Sequence, residues 1–549
     1  MPQVIAAVVF AVKVVVAFAI AHPIAFAVLR TLGTYVAMRA LSPKPKSSAN
    51  GAWRGDNLQL QVSATIPRGG ALGKCGVAGS LVTFQSWGTN NEYGIILIAL
   101  ADHKCEDLVG AWWNGKRVTF DAAAAKANGA AGGTGDGAAV SEATIGGTPH
   151  LWITFYDGDW NQSADAQLIS NSGGRWTSND RGRGVCYVRI KAYTPSSMSS
   201  TDFQTAFPSG LSGLVSGWVW ELKGYRPYDR REDGSAGGTG SQRYNDQTTL
   251  TYDNNCAVLT ENLLRGFFVE DTVASVGSRK RDTFYGLGLD DADLPYAENV
   301  AAMNACDEAV TLRAGGTEPR YTANGVISCD QPCETVLQDL QGAMAGKIAF
   351  GPGRWLMLPG VPMTPVGSNL TDDDIRIDGP YSFKDHTPLG EATTAIFARF
   401  ADPKQYYQAT PLPPRINTTA EAAVGRKGEN LDLIYVTSQS QGQRCMNIYL
   451  NRAAMEKRAT IALAPEQIVL EPGDWKTWAS SRPWGTVTFE VVQPNLRLSD
   501  KDALMSVLDL REISDSVFAW TPATDELDYV SPTSNAGGSG TLPSVANQG

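Results

Sequence analysis

Three regimes of apolar and polar positions follow one another along the chain. Residues 4–29 read VIAAVVFAVKVVVAFAIAHPIAFAVL, an almost unbroken apolar run ahead of an otherwise polar sequence. From Leu58 the pattern becomes short alternating runs: LQLQVSATI, SLVTFQSW, YGIILIALA and AWWNGKRVTF. Gly, Asn and Asp separate them, which predicts strands. HLWITFYDGDW, VCYVRIKAY and LVSGWVWELKG continue the series. Asn114-Gly115 in WNGKRV is a hairpin signal, because both residue types tolerate positive φ. A 3.6-residue period first appears over 257–268, then over 297–310 and 334–345, and predicts three helices. A fourth is expected over 441–458, within a remainder that again reads as strands. The Ala/Gly-dominated stretch 122–147 is expected to be a surface loop or insertion.

These patterns divide the chain into five parts. An apolar helical segment with its linker covers 1–46. A β-rich unit with the Gly/Ala-rich insertion covers 47–255, an α/β unit 256–365, a second β-rich unit 366–530 and a flexible tail 531–549. SPKPKSSAN at 42–50 is a Pro/Ser/Lys linker that separates the apolar segment from everything after it. The fold class is therefore mainly β with α+β parts, and no solenoid period is visible.

A helix over 3–21 would be roughly 28 Å long, close to the thickness of a bilayer's hydrocarbon core. Lys13 near its middle would cost on the order of 3 kcal/mol there. Pro23 then ends or kinks the helix, having no N–H to donate. Taken alone, the segment is open to three readings: membrane anchor, helix buried in an assembly, or signal peptide. The last fits least well, since no basic residue precedes a run that is long for a signal.

Composition narrows the choice. The formal net charge is −10, which argues against a surface that wraps nucleic acid, since that needs cations to displace counterions. Eight cysteines are scattered, with only Cys329 and Cys333 close together in CDQPC. Such dispersion suits reduced thiols better than a disulfide framework.

Candidate chemistry is thin. G-x-S-x-G, H-E-x-x-H, P-loop and G-x-G-x-x-G patterns are all absent from the sequence. The oxygen side chains of Asp157, Asp159, Asn161, Ser163 and Asp165 alternate as in a calcium loop. However, Gln162 stands where the sharp turn needs Gly, and Leu168 where a bidentate Glu belongs. A polar turn between strands is the simpler reading. Cys329 and Cys333 would need two further ligands to hold a metal, and more simply flank a helix start that Ser328 or Asp330 caps. His103 and Cys105 would share a face of an extended chain, but no carboxylate is identifiable to orient them. The clusters Asp290-Asp291-Asp293 and Asp372-Asp373-Asp374 read as solvated loops or helix starts. No catalytic, cofactor-binding or metal-ligating residue is assigned, and no enzyme activity is expected.

The stretch 315–360, GGTEPRYTANGVISCDQPCETVLQDLQGAMAGKIAFGPGRWLMLPG, carries a resemblance. It resembles the central tail hub, or tip-attachment, proteins of long-tailed bacteriophages, the family of the lambda tail-tip protein. ALADHKCEDLVGAWWNGKRV, TSNDRGRGVCYVRIKAY, LKGYRPYDRRED, FYGLGLDDADL with AAMNACDEAV, YSFKDHTPLGEATTAIFARFADPKQ and LEPGDW are similar to family stretches in the same order. The resemblance covers roughly 55–475. Asn254-Asn255-Cys256 departs from it, lacking the family's Asn-Pro.

The resemblance implies a homotrimer that caps a hexameric tail tube. Each chain would bring two tube-like β-barrel domains and an inserted α/β domain. It further implies contact with a distal tail protein or tail tube ring, the tape measure protein, other tail-tip proteins and tail fibres. Viral DNA would pass through the lumen without specific binding. A virion protein assembled in the host cytoplasm needs no signal peptide. On this reading the apolar segment is buried in the tip, or makes host membrane contact through residues 3–29 during ejection. Receptor recognition is expected of a separate fibre or tip protein. Two competitors are a membrane-anchored surface protein and a tail-associated cell-wall hydrolase.

Overall fold

The computed structural model describes residues 58–62, 66–244, 246–271, 280–351, 353–498 and 504–531. The apolar segment expected over 1–46 lies outside the described residues, as does the tail expected over 531–549 except for Ser531. Among the described residues no helix is long and apolar enough to cross a membrane. The chain is mainly β with helices, arranged in several sheets.

The first β unit contains strands β1 (Gly69–Leu72), β2 (Lys74–Val77), β3 (Ser80–Trp87), β4 (Tyr93–Ala101), β5 (Cys105–Trp113) and β6 (Lys116–Val118). It continues with β7 (Ala138–Ala139), β8 (Leu151–Tyr156), β9 (Cys186–Tyr193) and β10 (Trp218–Tyr225). Two sheets result, ordered β3-β4-β9-β8-β7 and β2-β10-β5-β6. Ile96, Ile98, Ile153, Phe155, Val188 and Ile190 from one sheet share a core with Leu108, Trp113, Trp218, Trp220 and Leu222 from the other. Trp218 lies between Trp113 and Trp220, with near-parallel ring centroids 5.1 and 4.8 Å away. Ile95 and Leu97 point the opposite way, into a smaller cluster with Tyr156, Leu168 and Tyr187. Both faces of β4 are therefore covered, and YGIILIALA is apolar throughout for that reason. The hairpin expected at Asn114-Gly115 forms, with φ of 51° and 78° and Trp113 paired to Lys116.

Residues 122–147 do not form the expected loop. Helix α1 (Ala122–Ala130) begins there, capped by the Asp121 side chain on Ala124 N–H, and β7 follows it. Alanine is the best helix former, so a run of it behind an Asp cap outweighs the nearby glycines. Gly129 lets the helix lie on β8: a Cβ there would stand 1.9 Å from the Phe155 carbonyl oxygen.

Helix α2 (Ala166–Asn171) covers the outer face of β4, and a central α/β core follows. Its helices are α3 (Cys256–Arg265), α4 (Tyr296–Asp307), α5 (Cys333–Ala343) and α6 (Gln439–Ala453). All four sit where the 3.6-residue period put them. The first stops early because Gly266, at φ 98°, turns the backbone out of the helix. The helices pack with a four-stranded sheet in which β11 (Ala395–Asp402) pairs antiparallel with β12 (Gln408–Pro411) and β13 (Arg415–Ile416). It also pairs parallel with β14 (Gly428–Leu433). The core draws Leu259, Leu263, Met303 and Leu340 from one stretch of chain, Ile396, Phe400, Leu433 and Met446 from a second, and Ile513, Val517 and Phe518 from a third.

A six-stranded half-barrel is the other β unit. It uses β15 (Arg458–Leu463), β16 (Trp475–Ala479), β17 (Thr486–Leu498) and β18 (Leu504–Glu512), with Leu370–Thr371 beside β16 and Ser382–Lys384 beside β15. Ile461, Leu463, Trp478, Phe489, Leu508 and Leu510 fill it. The order of pairing is β16-β17-β18-β15, so the long β17–β18 ribbon occupies the middle of the sheet.

Candidate functional site

The residues that the sequence singles out for chemistry are held in structural roles. His103 and Cys105 are both fully buried. His103 Nε2 accepts the Ala71 N–H at 2.9 Å, while Nδ1 lies 2.9 Å from the Lys104 carbonyl oxygen. An imidazole that accepts at Nε2 carries its proton at Nδ1, and both nitrogens are thereby committed to backbone. The Cys105 sulfur lies 3.9 Å from Nδ1, and His103 stacks on Phe284. The pair is close in space and sealed from solvent.

The loop from Asp157 to Asp165 turns its oxygens onto its own backbone. Asp157 accepts the Asp159 N–H at 3.0 Å and Asp159 the Asn161 N–H at 2.8 Å. Asp159 also pairs with Lys104. Gln162, where a calcium loop needs Gly, donates to the carbonyls of Arg181, Gly182 and Val185. Cys329 and Cys333 are half-buried, and Cys329 donates to the Phe284 carbonyl at 3.4 Å. The cap expected from Ser328 or Asp330 is absent from α5. Pro332 precedes its first turn, and Ser328 and Asp330 bond to each other. Proline sets φ for a helix entry without a side-chain acceptor. Among the described residues, no group of three or more His, Cys, Asp or Glu is placed to hold a metal ion.

The acidic clusters fasten chain segments. Asp291 bridges the buried Arg230 and Arg265, which both also meet Glu261 on α3. Asp372 accepts from Trp478 Nε1, the Ser480 hydroxyl and both the N–H and hydroxyl of Ser481. The Ser481 and Ser480 hydrogen bonds hold its pKa down to about 2.

The strongest buried polar arrangement carries no sequence signal. Arg189, on β9, and Asp165, at the start of α2, are both fully buried and pair at 2.8 Å. The guanidinium also donates to the carbonyls of Gly133, Gly135 and Asp136 and to Thr154. It thereby moulds the loop between α1 and β7. An Arg in VCYVRIKAY looks like any outward-facing strand residue, so alternation alone does not reveal it.

Large apolar side chains left in solvent mark a second kind of site. The β17–β18 ribbon continues the core-facing side of the half-barrel past Leu508 as Leu496 and Leu504, and both are exposed. Ile377, Ile468 and Val469 are exposed as well. Single exposed apolar residues are ordinary on a protein surface, and a mark of protein–protein contact only where they join into one patch.

Residues 333–488 match the model of a family described as a putative phage tail protein. No curated protein sequence matches the chain. Among solved structures, a chain of the virion of a native gene transfer agent particle has a TM-score of 0.51 at 16% identity, covering 88% of this chain and 92% of that one. At that identity the likeness is one of fold. A tail protein from Neisseria meningitidis (TM-score 0.27, 15% identity, 47% and 81% covered) and a 43 kDa prophage tail protein from Shewanella oneidensis (0.28, 8%, 82% and 96%) are more distant. The family match supports a phage tail protein, and the gene transfer agent chain shares its fold.

Proposed function

We propose that this chain is the central hub of a phage tail tip. The observation that carries the reading is the architecture: two β units with separate cores flank one α/β core. Three such chains present six β units, which matches a sixfold tube with a threefold assembly. The exposed Leu496 and Leu504 on the ribbon offer surface for such a ring. The role is structural. Its partners are two further copies of itself, a tube ring or distal tail protein, the tape measure protein and other tip proteins and fibres. The acidic balance suits a lumen along which DNA moves without sticking.

The particle test is sedimentation of a producing lysate with antibody against residues 55–475. The expected result is co-sedimentation with tailed particles, gold label at one tail end and a trimer in native mass spectrometry. Recovery only from detergent-solubilised membranes would overturn the reading and favour a membrane-anchored surface protein. Cell-wall cleavage in a zymogram would favour a hydrolase. Within this reading, residues 3–29 are buried in the tail tip, with entry into the host membrane during ejection as the alternative. Charged substitutions at Val15 and Phe18 that leave both assembly and genome delivery intact would count against that step.

A further inference from the structure

We propose that the Tyr406–Tyr407 turn is a strained latch that clamps the first β unit to the central core, and that the C-terminal strap 526–531 is its catch. The turn joins β11 to β12. Both tyrosines lie in the left-handed region, with φ of 55° and 64°. Two successive non-glycine residues rarely adopt that conformation, and it persists only where surrounding contacts hold it.

Those contacts come from the outer face of β2, β10 and β5. The Tyr407 ring lies so close over Gly76 that a Cβ there would meet it at 2.5 Å. Its hydroxyl donates to Glu221 Oε1 at 2.8 Å. Glu221 is buried and also paired with Arg117 at 2.7 Å and Lys74 at 3.1 Å. Trp112 takes both tyrosine rings edge-on, at 6.1 and 6.0 Å, and Arg117 lies 4.3 Å from the Trp112 ring centre. Trp112, Val219, Ala401 and Tyr407 form a closed apolar cluster between the two bodies.

The catch acts through Asp402, at the foot of the turn. Its Oδ1 accepts the Lys404 N–H at 2.9 Å, and its backbone oxygen accepts the Tyr407 N–H at 2.8 Å. Its Oδ2 accepts the hydroxyls of Tyr529 and Ser531, each at 2.6 Å. One carboxylate thus shapes the turn with one oxygen and holds the strap with the other. Upstream, the strap is pinned by Gln443, which bonds both backbone groups of Leu527, and by Arg313, whose N–H donates to Glu526. A strap that lets go of Asp402 leaves the turn free to relax, and β2 and β10 then lose one tie to the core while β1 stays paired with residues 325–328 and Lys74 N–H stays bonded to Asn324. In a tail hub this would loosen the chain along that face of the junction. That purpose rests on the reading above, whereas the latch itself is a property of the single chain.

The test is hydrogen–deuterium exchange on the full chain carrying Tyr529→Phe with Ser531→Ala, and separately Tyr407→Phe. The strap's hydrogen bonds run to Arg313, Gln443, Asp402 and Gln405, so a merely local role would leave β2 and β10 unchanged. The latch predicts faster exchange over 403–411 and in β2 and β10 in both variants. The rise should be at least about tenfold in each variant, the lower end of the worth of one hydrogen bond to a charged group. Unchanged β2 and β10 in the strap variant would overturn the coupling, and unchanged β2 and β10 in Tyr407→Phe would overturn the latch. Exchange in β15–β18 reports whether either variant has simply misfolded. Purified protein suffices, so failure here is distinct from failure to find the chain in particles.

Discussion

Asp165 and Arg189 show what one residue pair can decide. Removing one member strands the other charge in a dry interior, a loss of about 3–5 kcal/mol. Asp165→Asn should therefore destabilise the first β unit by that order, read as a lower denaturant midpoint in the fluorescence of Trp113, Trp218 and Trp220. Gly129 argues the opposite of its propensity. Gly to Ala in a helix ordinarily gains about 1 kcal/mol, but here the methyl would overlap the Phe155 carbonyl oxygen. Overpacking of that kind costs about 1–3 kcal/mol. Gly129→Ala should thus lower the same midpoint. None of this is legible from sequence: Arg189 obeys strand alternation, and Gly129 sits in a run that reads as flexible.

For single elements, apolar periodicity located α5 and α6, each of which buries one face against the common core, and also α3, which is buried all round. It missed α1, since a helix made of alanine has no face to contrast. The Tyr406–Tyr407 turn was equally hidden, because tyrosine does not announce positive φ and the geometry is imposed by β2 and β10. Caps offer a direct check. Ser438 accepts the Gln441 N–H at 3.2 Å and donates to Glu318 at 2.7 Å. Ser438→Ala should cost about 1 kcal/mol, seen as faster amide exchange in the first turn of α6 with the rest of that helix protected.

For the whole molecule, the junction and the half-barrel respond to acid in a defined sense. Burial raises the pKa of Glu221, but hydrogen bonds from Arg117, Tyr407 and Lys74 outweigh it and leave the group below its ordinary value. Asp372 is held down to about 2 from an ordinary 3.8. A carboxylate whose folded pKa is depressed contributes stability above its unfolded value and loses it as pH falls through the folded one. Both contributions are therefore intact at neutral pH, decline below about pH 4.5, and for Asp372 vanish only beneath about pH 2. Amide protection in β2 and β10, with the intrinsic pH dependence of exchange divided out, should fall from pH 7 to pH 3, and Glu221→Gln should flatten that fall. Alternating runs and turn residues such as Asn114-Gly115 made the mainly β architecture legible, because the turn requires positive φ there. Charge partners brought together from 74, 117, 221 and 407 were not.

The central core has a consequence in time. Ile513, Val517 and Phe518 complete a core whose other members, such as Leu259 and Leu263, are made some 250 residues earlier. A growing chain emerges from the ribosome in order, so the first β unit can close while the centre still lacks its last wall. Only a chain synthesised past Phe518 can shut that centre, and one that ends earlier exposes it to the cell's proteases. Translation thus acts as its own inspector, since a product cut short before residue 513 never acquires the complete body that a particle would recruit.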